Sequence, residues 1–292
     1  MARTVYILGS GQDGGLPQFG SRMAQDVAAR IDPLAVRLGP SICVLDDDGR
    51  CFLIDVSPDI KEQESRLLRL PAYAARKPGN PFDGVLLTHA HMGHYVGLAH
   101  FGREAANTRA LPVNCTEKMA AFLRDNAPWD QLVSLANVEL QVSPGRQAGG
   151  VIPAGSPGLP AGAVVRTIPV PHRGEYTDTI GVSINEDVLY VPDIDDWRKW
   201  PAARDEIGKH RVCILDGTFF SRDELPGRDL NEISHPFIED TIEFFAQEAK
   251  SRRIILTHFN HSNPVCDPAS PQARRVIDAG FELAQEMMAI SL

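Results

Sequence analysis

The sequence predicts an α/β (α+β) fold in which two packed sheets are flanked by helices. Short apolar runs of strand length recur along the 292 residues, whereas segments with helical periodicity are fewer and lie between them. Several of the strands also end in a side chain that can bind a metal ion. Strands interspersed with helices pack in layers around a core. No linker or repeat divides the chain, so residues 1–292 are expected to form a single domain.

The strands begin with residues 6–8 and continue with a hairpin. Residues 41–45 and 51–55 are apolar runs on either side of Asp46-Asp47-Asp48-Gly49, which is a strong turn signal. The other predicted strands are apolar runs bounded by turn residues: 84–87, 111–114, 138–142, 164–169, 180–184, 188–191, 212–215 and 254–256.

The clearest helix is predicted over residues 116–125. Thr116 is a suitable N-cap, and Met119, Phe122 and Leu123 lie on one face at helical spacing. Four other segments have the same periodicity, and they are residues 60–70, 98–106, 238–250 and 271–287.

Residues 144–163 are rich in Gly, Pro and Ala and carry no charge after Arg146. This composition predicts a long loop. Loops of this length in compact domains are either lids over a site or disordered insertions, and the sequence leaves both alternatives open.

Charge and composition exclude some classes of partner. The formal net charge is −9, which argues against a nucleic-acid polymer because its phosphate backbone binds Lys and Arg. A nucleotide is still compatible with this charge, since metal ions can supply local positive charge.

No apolar stretch approaches about 20 residues, and no targeting segment is visible, so no membrane partner is expected. The five cysteines form no C-x-x-C pair, which indicates reduced thiols and a cytoplasmic protein.

Three histidines stand together at the end of the predicted strand 84–87. His89 and His91 are two residues apart, so an extended backbone points both side chains the same way. His94 follows where the chain can turn into a helix. Imidazole is the commonest metal ligand in proteins, and three imidazoles at a strand-to-helix corner therefore predict a transition-metal site rather than three solvated loop residues.

Further candidate ligands follow other predicted strands. His172 comes after strand 164–169, Asp193 after strand 188–191 and His258 after strand 254–256, while Asp55 ends strand 51–55. A single aspartate at a strand end often only caps a turn. Several such residues in one chain suggest that these strand ends converge on one site.

The histidine cluster resembles the H-x-H-x-D-H motif of the metallo-β-lactamase superfamily, and the later residues occur in that superfamily's order. The resemblance implies an αββα sandwich of two mixed sheets with two divalent metal ions at one edge. The first ion would be held by His89, His91 and His172, and the second by His94 and His258. Asp193 would bridge the two ions. Asp55 corresponds to the early strand-end aspartate.

One position departs from this motif, because Gly93 stands where the superfamily has an aspartate ligand. The second site would then be weaker, or would leave a position open for water or substrate. A single-metal protein is one alternative. A substitute ligand from Asp195, His235 or His261 is another.

Other segments resemble the pyrroloquinoline quinone biosynthesis protein B family. These are residues 8–18, with their Gly-Gly-Leu-Pro-Gln sequence, Asp216-Gly217-Thr218-Phe219, and Ser234-His235-Pro236. This chain keeps the superfamily's metal ligands except at position 93. It is therefore interpreted as a relative with a hydrolase-like metal site, and not necessarily as the quinone-pathway protein itself.

Two more histidines are candidate catalytic residues beside Asp193. His235, just before a predicted helix, is interpreted either as a cleft residue that donates a proton or as a surface turn residue. His261 is interpreted as a neighbour of the ligands or as a solvated loop residue. Asp59 is interpreted either as orienting a ligand histidine or as starting a helix, and Asp195 and Asp196 are expected to cap a turn. The side chains expected to face the substrate are Arg173, Glu175 and Tyr176. The two histidines expected on the surface are His100 and His210.

The sequence supports three hypotheses for function. The first is a metal-dependent hydrolase in which metal-activated hydroxide attacks an ester, lactone or phosphodiester bond of a small molecule. The second is an iron-dependent oxygenase acting on a tyrosine-like small molecule, as the quinone-pathway resemblance implies. The third is a non-catalytic metal-containing binding protein, which Gly93 favours. Zinc is the expected metal, iron and manganese are compatible, and a homo-oligomer is left open.

Overall fold

The structure is a computed structural model and describes residues 2–142, 149–227, 229 and 233–292. Within these residues the strands form two seven-stranded mixed sheets. The first sheet contains β1 (Arg3–Gly9), β2 (Ser41–Asp46), β3 (Cys51–Ile54), β4 (Gly84–Leu86), β5 (Leu111–Asn114), β6 (Val138–Gln141) and β14 (Ala289–Ser291). The second contains β7 (Gly150–Ile152), β8 (Val165–Pro169), β9 (Ile180–Ile184), β10 (Val188–Val191), β11 (Val212–Asp216), β12 (Arg253–Thr257) and β13 (Glu282–Leu283).

The two sheets have mirrored topologies. The first runs in the order β14-β1-β2-β3-β4-β5-β6, with antiparallel pairs up to β3 and parallel pairs from β3 to β6. The second runs β13-β12-β11-β10-β9-β8-β7, parallel from β13 to β10 and antiparallel beyond it. The carboxyl ends of β10, β11 and β12 therefore lie at one edge of the second sheet, and β8 runs in the same direction as β10.

Helices cover the sheets. Those in the described residues are α1 (Ala24–Ala29), α2 (Ile60–Leu67), α3 (Pro71–Ala74), α4 (Met92–Tyr95), α5 (Glu117–Asp125), α6 (Trp129–Ser134), α7 (Ala203–Lys209), α8 (Ile238–Phe244) and α9 (Pro271–Asp278). Short 3-10 turns occur at Pro33–Ala35, Val96–Phe101, Trp197–Lys199, Arg222–Glu224, Glu248–Lys250 and Pro264–Cys266. Of these described helices, none has both the length and the apolar character needed to cross a membrane.

Alternating residues of β2 show how the layers pack. Ile42 and Val44 belong to the core between the sheets, which contains Val182 of the second sheet. Cys43 and Leu45 point to the opposite face and pack in a second core with Leu123 of α5. Because side chains alternate along a strand, each sheet buries both faces, one against the other sheet and one against helices. All five cysteines are buried and unpaired.

Several predicted boundaries were wrong. The helix expected over residues 98–106 is a 3-10 turn that follows the short α4. The helix expected over 238–250 ends at Phe244 and is followed by a 3-10 turn. The helix expected over 271–287 ends at Asp278, because Gly280 adopts a positive φ that terminates helices. The predicted loop 144–163 contains β7, which pairs with β8, whereas its residues 144–148 lie outside the described part of the chain.

Candidate metal centre

Four of the predicted ligands meet where strand ends converge. His89, His91, His172 and Asp193 each contribute one ligand atom to a group whose atoms all lie within 4.8 Å of one another. The Nδ1 atom of His91 is 3.2 Å from Nε2 of His172, and that Nε2 is 3.7 Å from Oδ1 of Asp193. The Nε2 atom of His89 is 3.9 Å from Oδ2 of Asp193. Two ligand atoms on one tetrahedral zinc ion are about 3.3 Å apart, so these spacings approach those of a first metal site.

Asp193 also faces a second group of ligand atoms, and this group contains a residue that the sequence did not predict. The Oδ2 atom of Asp193 is 2.9 Å from Nε2 of His94 and 3.4 Å from Nε2 of His258. On the other side of these rings, Oδ1 of Asp13 is 3.5 Å from Nε2 of His94 and 3.8 Å from Nε2 of His258. Asp13, His94 and His258 form a group of possible ligands of their own.

The atoms that face the two groups have no other partner. The Nε2 atoms of His89, His94 and His258 and the Oδ2 atom of Asp193 are buried, and within the described residues they make no hydrogen bond to any group outside the ligand set. Buried polar atoms are almost always hydrogen-bonded, and an orphaned one needs an explanation such as an ion. Three imidazole nitrogens and a carboxylate oxygen are a suitable donor set for zinc or iron. These residues therefore fit a divalent metal centre.

Residues 50–259 match the β-lactamase superfamily domain. This chain belongs to the β-lactamase superfamily. The protein is also 27% identical to the coenzyme PQQ synthesis protein B of Xanthomonas campestris pv. campestris, over 99% of each chain.

Solved structures share the fold of this superfamily member. Zinc-bound PqqB from Methylobacterium extorquens superposes with a TM-score of 0.81 at 22% identity and covers 99% of this chain and 100% of its own. A diphosphatase from the PhnP family superposes with a TM-score of 0.71 at 22% identity and covers 100% of this chain and 98% of its own. The predicted αββα sandwich of two mixed sheets is thereby confirmed, as is the resemblance to the quinone biosynthesis protein B family.

Hydrogen bonds on the outer sides of the rings orient the imidazoles. The Thr88 hydroxyl donates to Asp55 at 2.9 Å, so its oxygen can accept the Nδ1 proton of His89 at 3.0 Å. His94 donates its Nδ1 proton to Asp55 at 2.7 Å. Both histidines are thus held in the tautomer whose Nε2 lone pair faces the metal centre, which is how metal-binding histidines are usually fixed.

The same arrangement holds His258 in the second sheet. The Thr218 hydroxyl donates to Asp216 at 2.7 Å and lies 2.8 Å from Nδ1 of His258. Because the hydroxyl proton is given to Asp216, the oxygen accepts from His258 and leaves Nε2 free. In the first metal group, Glu175 lies 3.2 Å from Nε2 of His91, and Asp195 lies 3.2 Å from Nδ1 of His172.

We expect the substitution Thr218→Ala to weaken metal binding. Without the hydroxyl, Nδ1 of His258 loses its acceptor and the ring can rotate or change tautomer, which typically lowers metal affinity about 10- to 100-fold. The conservative change Thr218→Ser should restore the affinity, because it keeps the oxygen. Zinc affinity measured by competition with a chromophoric chelator checks this, and equal affinities in the two variants would refute the orienting role.

Burial and neighbouring rings set the charges of the centre. Burial and the neighbouring His94 lower the pKa of His89 well below its usual value, so this ring is neutral, as a ligand must be. Burial raises the pKa of Asp193, but the imidazoles of His258, His94 and His89 outweigh that effect and hold the pKa well below the usual range. Asp193 is therefore an anion between the two groups.

The structure separates the two candidate catalytic histidines. His235 forms a group with Asp193 and His258. Its Nδ1 atom is 2.8 Å from Asp216 and 3.8 Å from Asp193, so this nitrogen is hydrogen-bonded to Asp216 and His235 lies directly beside the ligand atoms. Burial lowers the pKa of His235, but the carboxylate of Asp216 more than compensates, so that the pKa is raised overall.

His261 is not brought together with the ligands, so the structure does not support it as a substitute ligand, and its role as a proton donor stays a prediction. It belongs to none of the three ligand groups found in the described residues, and its Nδ1 bonds Asp26 of α1 at 2.9 Å. Of the two interpretations of Asp59, the helix start is confirmed, because Asp59 is the N-cap residue of α2. Its carboxylate accepts from the backbone of Gly39 and not from a histidine. Another assignment was wrong. His210 is buried between Ser183 and the carbonyl of Glu206 instead of lying on the surface.

Proposed function

We propose that the protein is a divalent-metal-dependent hydrolase of small molecules that contain an ester, lactone or phosphodiester bond. The observation that carries the proposal is the pair of ligand groups that the Asp193 carboxylate faces, with one oxygen toward His172 and the other toward His94 and His258. Bound divalent ions would lower the pKa of water to about 7 and polarise the bond under attack. Zinc suits a set of imidazoles and carboxylates, and the PqqB structure with the same fold is zinc-bound.

His235 is the residue that can donate a proton to the leaving group. Its Nδ1 is held by Asp216 at 2.8 Å, so Nε2 is the nitrogen left to donate a proton to a substrate atom. A histidine fixed by a carboxylate in this way is a common general acid. Arg173, Glu175 and Tyr176 lie next to His89 and His91. Tyr176 is 69% exposed, which suits contact with a small ligand. A cytoplasmic location and a homo-oligomer stay predictions.

We expect the substitution His235→Gln to lower hydrolytic turnover about 10²- to 10⁴-fold, the usual contribution of general acid catalysis. The zinc content should not change, because His235 is not assigned as a ligand. Turnover is measured with the zinc-loaded protein across a panel of esters, lactones and phosphodiesters. His100→Ala, at a partly exposed position in a 3-10 turn, is the control. A zinc-loaded wild type that leaves the whole panel unchanged contradicts the hydrolase proposal.

The relatives favour a second candidate, a redox enzyme of the PQQ synthesis protein B kind. The similarity covers 99% of this chain and 99% of that relative, which supports this candidate better than a general hydrolase. Imidazoles with a carboxylate also suit Fe(II) with open positions. Metal analysis after anaerobic purification separates the two. Iron together with oxygen consumption on a tyrosine-like substrate supports the redox enzyme, whereas zinc without oxygen consumption supports the hydrolase.

A further inference from the structure

The motif position at residue 93 is closed to any side chain. A Cβ atom built on Gly93 would lie 2.2 Å from Oδ1, 2.6 Å from Cα and 2.7 Å from Cγ of Asp13. Atoms of real side chains do not approach so closely. Gly93 is not among the residues with positive φ, so glycine is required there by space and not by backbone conformation. Because the Cα atom of Asp13 is one of these close neighbours, the backbone of residue 13 itself fills the place of a side chain at position 93.

Backbone hydrogen bonds fix the turn that carries Asp13. The turn follows β1, and the segment around His258 holds it through two bonds: Gln12 N–H donates to the carbonyl of Phe259 at 2.9 Å, and Phe259 N–H donates to the carbonyl of Ser10 at 2.9 Å. Gly15 closes the turn with a bond to the carbonyl of Gln12 at 2.7 Å and adopts a φ of +61°. Asp13 is therefore placed by the same backbone segment that places His258.

We propose that Asp13 is the carboxylate ligand of the second metal ion and replaces the side chain that Gly93 lacks. Its Oδ1 forms a group of three possible ligand atoms with Nε2 of His94 and Nε2 of His258, all within 4.8 Å of one another. Oδ1 of Asp13 is 3.5 and 3.8 Å from these two nitrogens, and Oδ2 of Asp193 is 2.9 and 3.4 Å from the same two nitrogens. These carboxylate-to-imidazole separations bracket the spacing of about 3.3 Å expected between two ligands of one tetrahedral ion.

The environment of Asp13 agrees with a ligand rather than a structural residue. Within the described residues, its carboxylate is paired with the imidazoles of His94 and His258. The side chain is 35% exposed, so the second ion would be reached from solvent on the side of Asp13. A carboxylate there also adds a second negative charge beside the two histidines, which favours a dication. The proposal rests on the metal centre of the proposed function and holds whichever reaction that centre catalyses.

Zinc stoichiometry of Asp13→Asn and Asp13→Ala tests the proposal. We expect the wild type to bind two equivalents. In Asp13→Ala the second equivalent should bind at least about 100-fold more weakly, since loss of a direct ligand exceeds the 10- to 100-fold effect of an outer partner. The first equivalent should be retained. Asp125→Asn, an exposed carboxylate at the end of α5, is the matched control.

Thermal unfolding separates a ligand from a structural role. In chelator-treated protein, Asp13→Asn should unfold at the wild-type temperature, and only the increase caused by added zinc should shrink. Two zinc equivalents with wild-type affinity in Asp13→Ala would overturn the proposal. A metal-free Asp13→Asn protein that unfolds at a lower temperature than the wild type would also overturn the proposal, because instability of the fold would then account for its loss of zinc. A protein that binds two ions through Asp13 and hydrolyses nothing refutes the proposed function but leaves this inference intact.

Discussion

The substitution Asp193→Ala is expected to remove both metal ions, because the carboxylate of Asp193 faces the ligand nitrogens of both groups. Its Oδ1 faces His172, and its Oδ2 faces His94 and His258. Without this anion, each group loses one ligand at once. Turnover should fall at least about 10³-fold, which corresponds to about 4 kcal/mol of lost transition-state stabilisation. Elemental analysis of the purified variant measures the metal content directly.

A second measurement makes this expectation independent of the reaction. A ligand that binds only the folded state stabilises it by about 4 kcal/mol at 1,000 times its dissociation constant. Added zinc should therefore raise the unfolding temperature of the wild type by several degrees and leave that of Asp193→Ala unchanged. Asp196→Ala is the control, because Asp196 lies in the same loop and accepts from the backbone of Arg198. If the Asp193→Ala protein kept two tightly bound ions, the shared-ligand assignment would be wrong.

Local signals in the sequence predicted the layers of the fold but not its late strands. The hairpin β2–β3 was predicted from its turn residues, which act within a few positions. By contrast, β13 and β14 are short and lack strand periodicity. They form by pairing with distant partners, such as Glu282 with Ile255 and Ser291 with Thr4. Tertiary pairing of this kind cannot be read from the segment itself, so the residues of β13 were assigned to a helix and those of β14 to no element.

In the metal centre, too, the residues in a local motif were predicted, whereas a residue brought in from a distant turn was not. The spacing of His89, His91 and His94 indicated a metal centre, and the order of the later residues indicated which strand ends supply it. Asp13 was missed, although it lies in the glycine-rich segment 8–18, because a turn sequence does not reveal what its side chain contacts. Two signals taken together point to it, namely the missing carboxylate at Gly93 and a lone aspartate within a turn rich in glycine.

Both sheets orient the centre with the same device. Asp55 follows β3 and Asp216 ends β11, and each accepts a hydrogen bond from a threonine hydroxyl, that of Thr88 or Thr218. Each threonine oxygen then lies within hydrogen-bonding distance of a histidine ligand, and each aspartate holds a second histidine. The histidines are His89 and His94 in the first sheet and His258 and His235 in the second. Three of these four rings face the ion positions, which leaves His235 as the ring available to a substrate.

The substitution Asp55→Ala is expected to destabilise the metal-free protein by about 4 kcal/mol. Asp55 is fully buried and accepts from the backbone and hydroxyl of Thr88 and from Nδ1 of His94. Its removal leaves these donors buried without an acceptor. Asp55 also has a φ of +63°, a conformation that aspartate tolerates better than alanine does. Urea unfolding in the presence of a chelator measures the change without any contribution from bound metal.

Three variants at position 55 separate the loss of the hydrogen bonds from the effect of the positive φ on stability. Asp55→Gly removes the carboxylate but relieves the backbone conformation, so it should be more stable than Asp55→Ala by about 1 kcal/mol. Asp55→Asn keeps one acceptor oxygen and tolerates the same φ, and its loss should be the smallest of the three. In both Asp55→Gly and Asp55→Asn, the second zinc equivalent should bind about 10- to 100-fold more weakly, because His94 is no longer held by a carboxylate. Unfolding of Asp55→Ala at the wild-type urea concentration would show that the hydrogen bonds of Asp55 to Thr88 and His94 do not stabilise the fold. The position of His94 would then have to depend on α4 alone.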